Sequence, residues 1–215
     1  MKKVILLSMI LVLGLAANGF AVPMSGTISG PSSGLYGTGS WSDSSFSWNV
    51  EEISDGVWQY AYTFTVAYKA ISHIIIEVSE DFDIDNILNG TTSGWILDDY
   101  SPDDPGNSNP GIPAEIPGLK WNLTGDPKSI SVTIVTDREP MEGNFYAKDG
   151  KEKINGNGHI DVYAWSGTST GFGDNVLVPD TNGGGGGGDV PEPGTIVLLG
   201  TGLAGVGLLR RRFKS

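Results

Sequence analysis

An all-β fold, an antiparallel β-sandwich of jelly-roll-like or immunoglobulin-like type, is what this sequence predicts, and three observations carry the prediction. In "VWQYAYTFTVAYKA" the large apolar side chains take the even positions, Trp58, Tyr60, Tyr62, Phe64, Val66 and Tyr68, and Gln59, Thr63, Thr65 and Lys69 fall among the odd ones. Side chains alternate faces along a strand, so this segment is a long strand with an aromatic wall on one side. The same parity recurs in Phe46/Trp48/Val50, Leu119/Trp121/Leu123, Ile130/Val132/Ile134 and Ile160/Val162/Ala164. Between these runs sit clusters of turn residues, "DDYSPDDPGNSNPGIP" (98–113) and "KDGKEKINGNG" (148–158). Short strands separated by such turns argue a sandwich. No segment of the body keeps a helical period over three turns, and no internal repeat points to a propeller or solenoid.

The elements follow in chain order. Residues 1–21 have the three parts of a secretory signal: Lys2 and Lys3, the apolar run Val4 to Leu15, and the small-residue exit Ala16-Ala17-Asn18-Gly19-Phe20-Ala21. Signal peptidase is expected to cut between Ala21 and Val22. Twelve apolar residues are too few to span a bilayer, which disfavours a retained membrane helix. Residues 22–180 form the predicted β-sandwich domain. Within it "HIIIEV" (73–78) is a short, β-branched apolar run, better read as a strand buried on both faces than as a helix. Residues 181–189, with six consecutive glycines, form a flexible linker spanning roughly 16 Å. Residues 190–215 form a separate terminal segment.

Charge and composition exclude several classes of function. Residues 22–189 hold 7 basic and 24 acidic side chains, a net charge of −17. Such a surface repels nucleic acid and anionic lipid, and no nucleic-acid partner is expected. There is no cysteine, which rules out disulfides, thiol catalysis and Cys-ligated metals.

Candidate sites in the body are few. Six tryptophans in an exported β domain invite a carbohydrate reading. Trp48, Trp58, Trp121 and Trp165 lie inside alternating strands, where the core explains them, and Trp41 and Trp95, near turn-rich edges, are left as the candidate glycan platform. G-x-S-x-G occurs at Gly30–Gly34 and Gly167–Gly171. A nucleophile elbow needs a helix leaving the turn, and neither copy has one. His73 and His159 show no triad order. Carboxylate pairs for glycoside hydrolysis are not singled out by their number alone, and no catalytic residue is assigned.

"DFDIDNILNGTT" sets Asp81, Asp83 and Asp85 on a calcium-loop pattern, but Asn86 stands where Gly is needed and Thr92 where the bidentate Glu belongs, so the EF-hand is rejected. The three aspartates could equally form the outer face of a strand whose inner face is Phe82 and Ile84. A second acidic loop, Asp98, Asp99, Asp103 and Asp104, carries oxygen ligands suited to a structural Ca²⁺ or is simply solvated. No other cofactor is expected.

The terminal segment reads "VPEPGTIVLLGTGLAGVGLLRRRFKS". Pro191 and Pro193 fix their own φ and push Glu192 towards extended backbone, a strand-like shape that a protease groove accepts. Gly194 to Leu209 are uncharged and span about 24 Å as a short transmembrane helix, against a bilayer core of roughly 30 Å. Glycines at 200, 202, 205 and 207 make that helix thin, so another membrane protein could approach its backbone closely. Arg210, Arg211 and Arg212, with Lys214, form a basic stop-transfer end.

Val-Pro-Glu-Pro, a short glycine-interrupted apolar helix and a closing arginine cluster, placed at the end of a signal-peptide protein, resemble the PEP-CTERM sorting signal of Gram-negative bacteria. The resemblance covers Val190 to Ser215, with Pro191, Glu192, Pro193 and Gly194 on the motif and Arg210 to Arg212 on its basic end. It implies recognition by exosortase, a membrane-embedded cysteine-protease-like enzyme, and removal of the tail near Pro-Glu-Pro on the way to the cell surface or exopolysaccharide matrix. The body, through "WQYAYTFTV", "ISHIIIEVSEDF" and "FYAKDG", is more loosely similar to β-sandwich exoproteins that carry such signals. The expectation is an exported, non-enzymatic surface or matrix protein, held transiently in the inner membrane by residues 195–209, with exosortase and signal peptidase as processing partners and exopolysaccharide as a further one. Its rivals are an extracellular glycan-binding module and a secreted glycan-active hydrolase.

Overall fold

The alternating patterns are realised as strands in a computed structural model that describes residues 24–102, 109–154, 156 and 158–179. The expected signal helix, the glycine linker and the terminal apolar helix lie outside the described residues. Among the described residues no helix is long and apolar enough to cross a membrane. The strands are β1 (Met24–Ser29), β2 (Leu35–Gly37), β3 (Ser45–Ser54), β4 (Val57–Thr65), β5 (His73–Glu77), β6 (Trp95–Tyr100), β7 (Ile116–Asn122), β8 (Ser129–Thr136), β9 (Pro140–Gly143), β10 (Phe145–Lys153), β11 (His159–Thr168), β12 (Gly171–Phe172) and β13 (Val176–Pro179). Every strand pairing is antiparallel, so the body is all-β.

Four strands form one sheet in the order β1-β3-β4-β8, and a larger sheet runs β12-β11-β10-β5-β7-β6 with β2 also on β11. β9 and β13 pair separately. The chain changes sheet after β4 and returns at β8. This order differs from the constant-type immunoglobulin arrangement, which sets its third and fourth strands in opposite sheets, whereas β3 and β4 here pair directly.

The core lies between the two sheets. Tyr60, Tyr62 and Phe64 of β4 and Phe46 and Val50 of β3 are fully buried against Ile74, Ile76, Leu119, Phe145 and Ala147 of the larger sheet. Phe145 meets Phe46 at 4.0 Å between ring centres and Phe64 at 5.0 Å. Buried hydroxyls need partners, and Tyr60 donates to the Arg138 carbonyl at 2.9 Å and Tyr62 to that of Leu177 at 2.8 Å. β5 is buried on both faces, as read from its sequence: Ile74 and Ile76 face the intersheet core, and Ile75 faces a second apolar cluster with Tyr100, Ile112, Ile116, Tyr146 and Trp165.

Two expectations are corrected. The aromatic strand stops at Thr65; Lys69 takes a left-handed φ of 66°, and Tyr68 stands 68 % exposed past the strand end. The Asp81–Asp85 segment is no strand. Ile84–Asn86 form a 3₁₀ turn in which the Asp83 carboxylate accepts from the Asp85 N–H at 2.8 Å and the Asn86 side chain accepts from the Asp83 N–H at 2.9 Å, a reciprocal cap that leaves Ile84 exposed.

The outer edge of β8 is closed by side chains. Thr91 Oγ1 accepts from the Val135 N–H and donates to the Val135 carbonyl, and Thr92 Oγ1 accepts from the Thr133 N–H at 2.9 Å. Backbone bonds from Leu88 and Thr92 complete the closure. An unpaired edge is a template for unwanted pairing, and these threonines occupy it.

Candidate functional site

On β11 the even positions Val162 and Ala164 enter the core, so Asp161, Tyr163 and Trp165 face outward. Register then lays Tyr36, Trp165, Tyr146, Ile75 and Lys120 in a row across β2, β11, β10, β5 and β7. Trp165 is 5 % exposed between the half-buried rings of Tyr36, at 4.4 Å, and Tyr163, at 5.3 Å. Its indole N–H donates to the Thr168 carbonyl at 2.9 Å. Residues 109–111 of the connection from β6 to β7 lie on the same face. Tyr146 donates to the Pro110 carbonyl at 3.0 Å, Asn109 Oδ1 meets His73 Nε2 at 3.1 Å, and Gly111 rests so close to the Tyr163 ring that a Cβ would overlap it.

The electrostatics of this cluster are those of a covered surface. Burial, then the Lys120 and Lys148 ammonium groups, push the His73 imidazole down to about 3, against the opposing bond from Asn109. His73 is therefore neutral at any ordinary pH. Burial pushes the Tyr146 phenol up, and burial with Tyr36 and Asp161 nearby raises that of Tyr163. Lys120 is 5 % exposed with its ammonium 5.1 Å from the centre of the Tyr100 ring, a cation–π placement.

Among the described residues neither histidine is hydrogen-bonded to a serine or a carboxylate. His73 faces an amide rather than a carboxylate, and His159 is exposed at the start of β11. Of the two G-x-S-x-G matches, the first places Ser32 in a 3₁₀ turn and the second places Ser169 at the turn between β11 and β12, both exposed and neither followed by a helix.

The sequence-predicted residues fall in different places. Trp41 is fully buried rather than exposed. It sits in a 3₁₀ turn, Gly39–Trp41, with its ring edge-on to Phe64 at 5.3 Å and its N–H donated to the Tyr68 carbonyl at 3.2 Å, which removes it as a platform. Trp95 is half-buried at the edge of the intersheet core, opposite Trp121 in the register. On the outer face of the larger sheet Tyr36 and Tyr163 are half-exposed rings flanking Trp165, a pairing that only the odd parity of Asp161, Tyr163 and Trp165 hints at in the sequence. Asp98 and Asp99 are exposed on edge strand β6, where successive side chains point to opposite faces, and Asp98 Oδ1 accepts from the Asp99 N–H at 3.0 Å. Asp103 and Asp104 lie outside the described residues, as do Ala21, Val22, Pro191 to Gly194 and Arg210 to Arg212. Among the described residues no three His, Cys, Asp or Glu side chains gather closely enough to hold a metal ion.

A polar network anchors the end of β5. Asn144 donates to Asp174, its Oδ1 accepts from Ser166 Oγ and from the Asp174 N–H, both at 3.1 Å, and Ser166 Oγ accepts from the Phe145 N–H at 3.0 Å. Burial raises the Glu77 carboxyl above its ordinary value, hydrogen bonds from Asn144 oppose the rise, and Asp174 adds to it. Glu77 Oε2 is buried without a hydrogen-bond partner among the described residues. A carboxyl whose folded pKa is raised contributes most below its unfolded pKa, and the contribution is lost as pH rises through the folded value. Glu77→Gln is therefore expected to hold or raise stability at pH 7 and to flatten the decline between about pH 4.5 and 7. Urea midpoints at the two pH values check this; an unchanged decline in the variant would assign the pH dependence elsewhere.

Residues 189–212 match the family model of the PEP-CTERM protein-sorting motif, so the chain carries that motif where its tail resembled it. No curated protein and no solved structure matches the chain.

Proposed function

We propose that this chain, which carries a PEP-CTERM protein-sorting motif at residues 189–212, is an exported surface or exopolysaccharide-matrix protein whose β body acts by binding rather than by catalysis. The motif is the observation that carries the reading. It implies export and sorting by exosortase from a membrane-anchored state. Signal peptidase removes residues 1–21. Residues 195–209 and Arg210 to Arg212 then hold the chain in the inner membrane, with Pro191-Glu192-Pro193 preceding the apolar stretch in the sequence. Exosortase cuts near that tripeptide, and the body leaves with part of the glycine tether. The non-enzymatic assignment is supported by the neutral His73, whose partner is an amide and which feels the Lys120 and Lys148 ammonium groups.

Replacing Pro191, Glu192 and Pro193 together by alanine tests the sorting step. Intact mass of the wild type from the surface fraction should fit a chain starting near Val22 and ending near Pro-Glu-Pro. The variant should keep Arg210 to Arg212 and stay in the inner membrane, with surface material reduced at least about tenfold, a difference of about 1.4 kcal/mol in processing preference. Release of the variant at the wild-type mass would refute the assignment.

A further inference from the structure

Over three successive rows, bordered by Glu51 and Gln59, the outward face of the four-stranded sheet is made almost wholly of hydroxyls. Register aligns Thr27, Ser47, Thr63 and Ser131 in one row across β1, β3, β4 and β8. The next row is Ser29, Ser45, Thr65 and Ser129, and the row on the other side is Ser25, Asn49, Ala61 and Thr133. All are exposed or half-exposed, and none is charged. In a body with 24 acidic and 7 basic residues, twelve adjoining surface positions without a charge set this face apart. Even β1, an edge strand, carries no Lys or Glu, the residues that usually discourage edge contacts.

The face is also regular. β1 pairs β3 through six consecutive residues and β4 pairs β8 through eight, without a register shift; the one shift in β3–β4, between Glu52 and Ser54, lies beyond the rows. Hydroxyls thus repeat about every 4.8 Å across the strands and about every 6.8 Å along them. Thr63 bonds Ser131 and Thr65 bonds Ser129, each at 2.9 Å, which fixes rotamers that are already stiff at the threonines.

We propose that this face is a docking surface for a neutral, hydroxyl-rich polysaccharide lying across the strands; the proposal deepens the matrix reading above and takes the exported compartment from it. Each hydroxyl offers one donor and two acceptor sites, the same valence as a sugar hydroxyl. A polyanion is repelled by the surrounding acidic body, and an apolar partner finds only methyl groups. Single exposed hydroxyl contacts are weak, so binding depends on the repetition of rows along one polymer.

The test uses the full chain in a polyoxyethylene detergent, which carries no sugar, mixed with microcrystalline cellulose, insoluble β-1,3-glucan or alginate. Retention is expected on at least one neutral polymer and not on alginate, and it should survive a rise from about 0.1 to 1 M salt, where charge attraction is screened. The double variant Ser47→Lys/Thr63→Glu places opposite charges on directly facing residues, which preserves strand pairing. It should lose retention about tenfold with an unchanged thermal midpoint. No retention on either neutral polymer overturns the proposal. So does retention that survives the double variant and falls with Tyr36→Ala, which would move the contact to the rings of the larger sheet. Loss of self-association in place of polysaccharide retention would assign the face to a second copy of the chain and overturn it too. Because the double variant leaves residues 189–215 untouched, the mass of its surface form reports on the sorting reading separately.

Discussion

Phe145→Ala lowers the unfolding free energy by about 3–5 kcal/mol, the range for truncating a fully buried aromatic side chain. The residue comes from the larger sheet and stacks on Phe46 while touching Phe64 of the smaller one, so its ring fills space that belongs to both layers. Removing it leaves a cavity the sheets cannot close without breaking their own hydrogen-bonded ladders. Domains of this size have a total stability of about 5–15 kcal/mol, so the variant loses a large part of it. With no cysteine in the chain, no covalent bridge holds the layers while the core is thinned. Urea denaturation followed by tryptophan fluorescence measures the effect. A loss below about 1 kcal/mol, the scale of an ordinary surface change, would show that the two sheets do not share one core.

Gly167→Ala has the second large effect, about 2–6 kcal/mol, by two routes that add. Gly167 holds φ at 131°, a region that side chains rarely enter, which costs about 1–3 kcal/mol. A Cβ there would also fall against the backbone oxygen of Gly171 and the backbone of Phe172 and Gly173, and overpacking costs a further 1–3 kcal/mol or so. The strain acts where β2, β11 and β12 meet, because Gly167 donates to the Gly34 carbonyl at 2.7 Å and Gly173 to that of Ser166 at 3.2 Å. Gly56→Ala, at a left-handed turn with none of the described residues within 4 Å of the new methyl, meets the backbone cost alone and should lose clearly less. Equal losses in the two variants, read from thermal midpoints, would remove the packing part of the argument.

Much of the fold was legible because strand parity is a local signal. Tyr60, Tyr62 and Phe64 had to share a face, and that face had to be buried. "HIIIEV" was legible for a related reason: an apolar run without alternation leaves no polar face to give to water. Trp41 was not legible. Its neighbours, Gly37 to Ser40 and Ser42 to Ser45, read as an exposed turn, and only the docking of that turn beneath Phe64 buries the indole. Asp81 to Asp85 misled in the opposite direction, since polar residues alternating with Phe82 and Ile84 mimic a strand, whereas the Asp83 cap turns the backbone and leaves Ile84 in solvent. The hydroxyl rows were half legible. Each strand shows its Ser and Thr residues at alternate positions, yet their alignment depends on register, which comes from long-range pairing. The sorting tail was the most legible part, since its signal is an order of residues along the chain and needs no tertiary contact.

The pairing of β2 with β11 also bears on when the body can fold. Thr38 and Tyr163, bonded to each other through Tyr163 N–H and Thr38 Oγ1, are 125 residues apart, and folding slows as contacting residues become more distant in sequence. A chain emerging from a translocation channel amino end first presents β1 and β2 long before β11 follows. The larger sheet cannot close until nearly the whole body has crossed. Closure of the larger sheet is therefore a late event for any chain that enters its compartment amino end first.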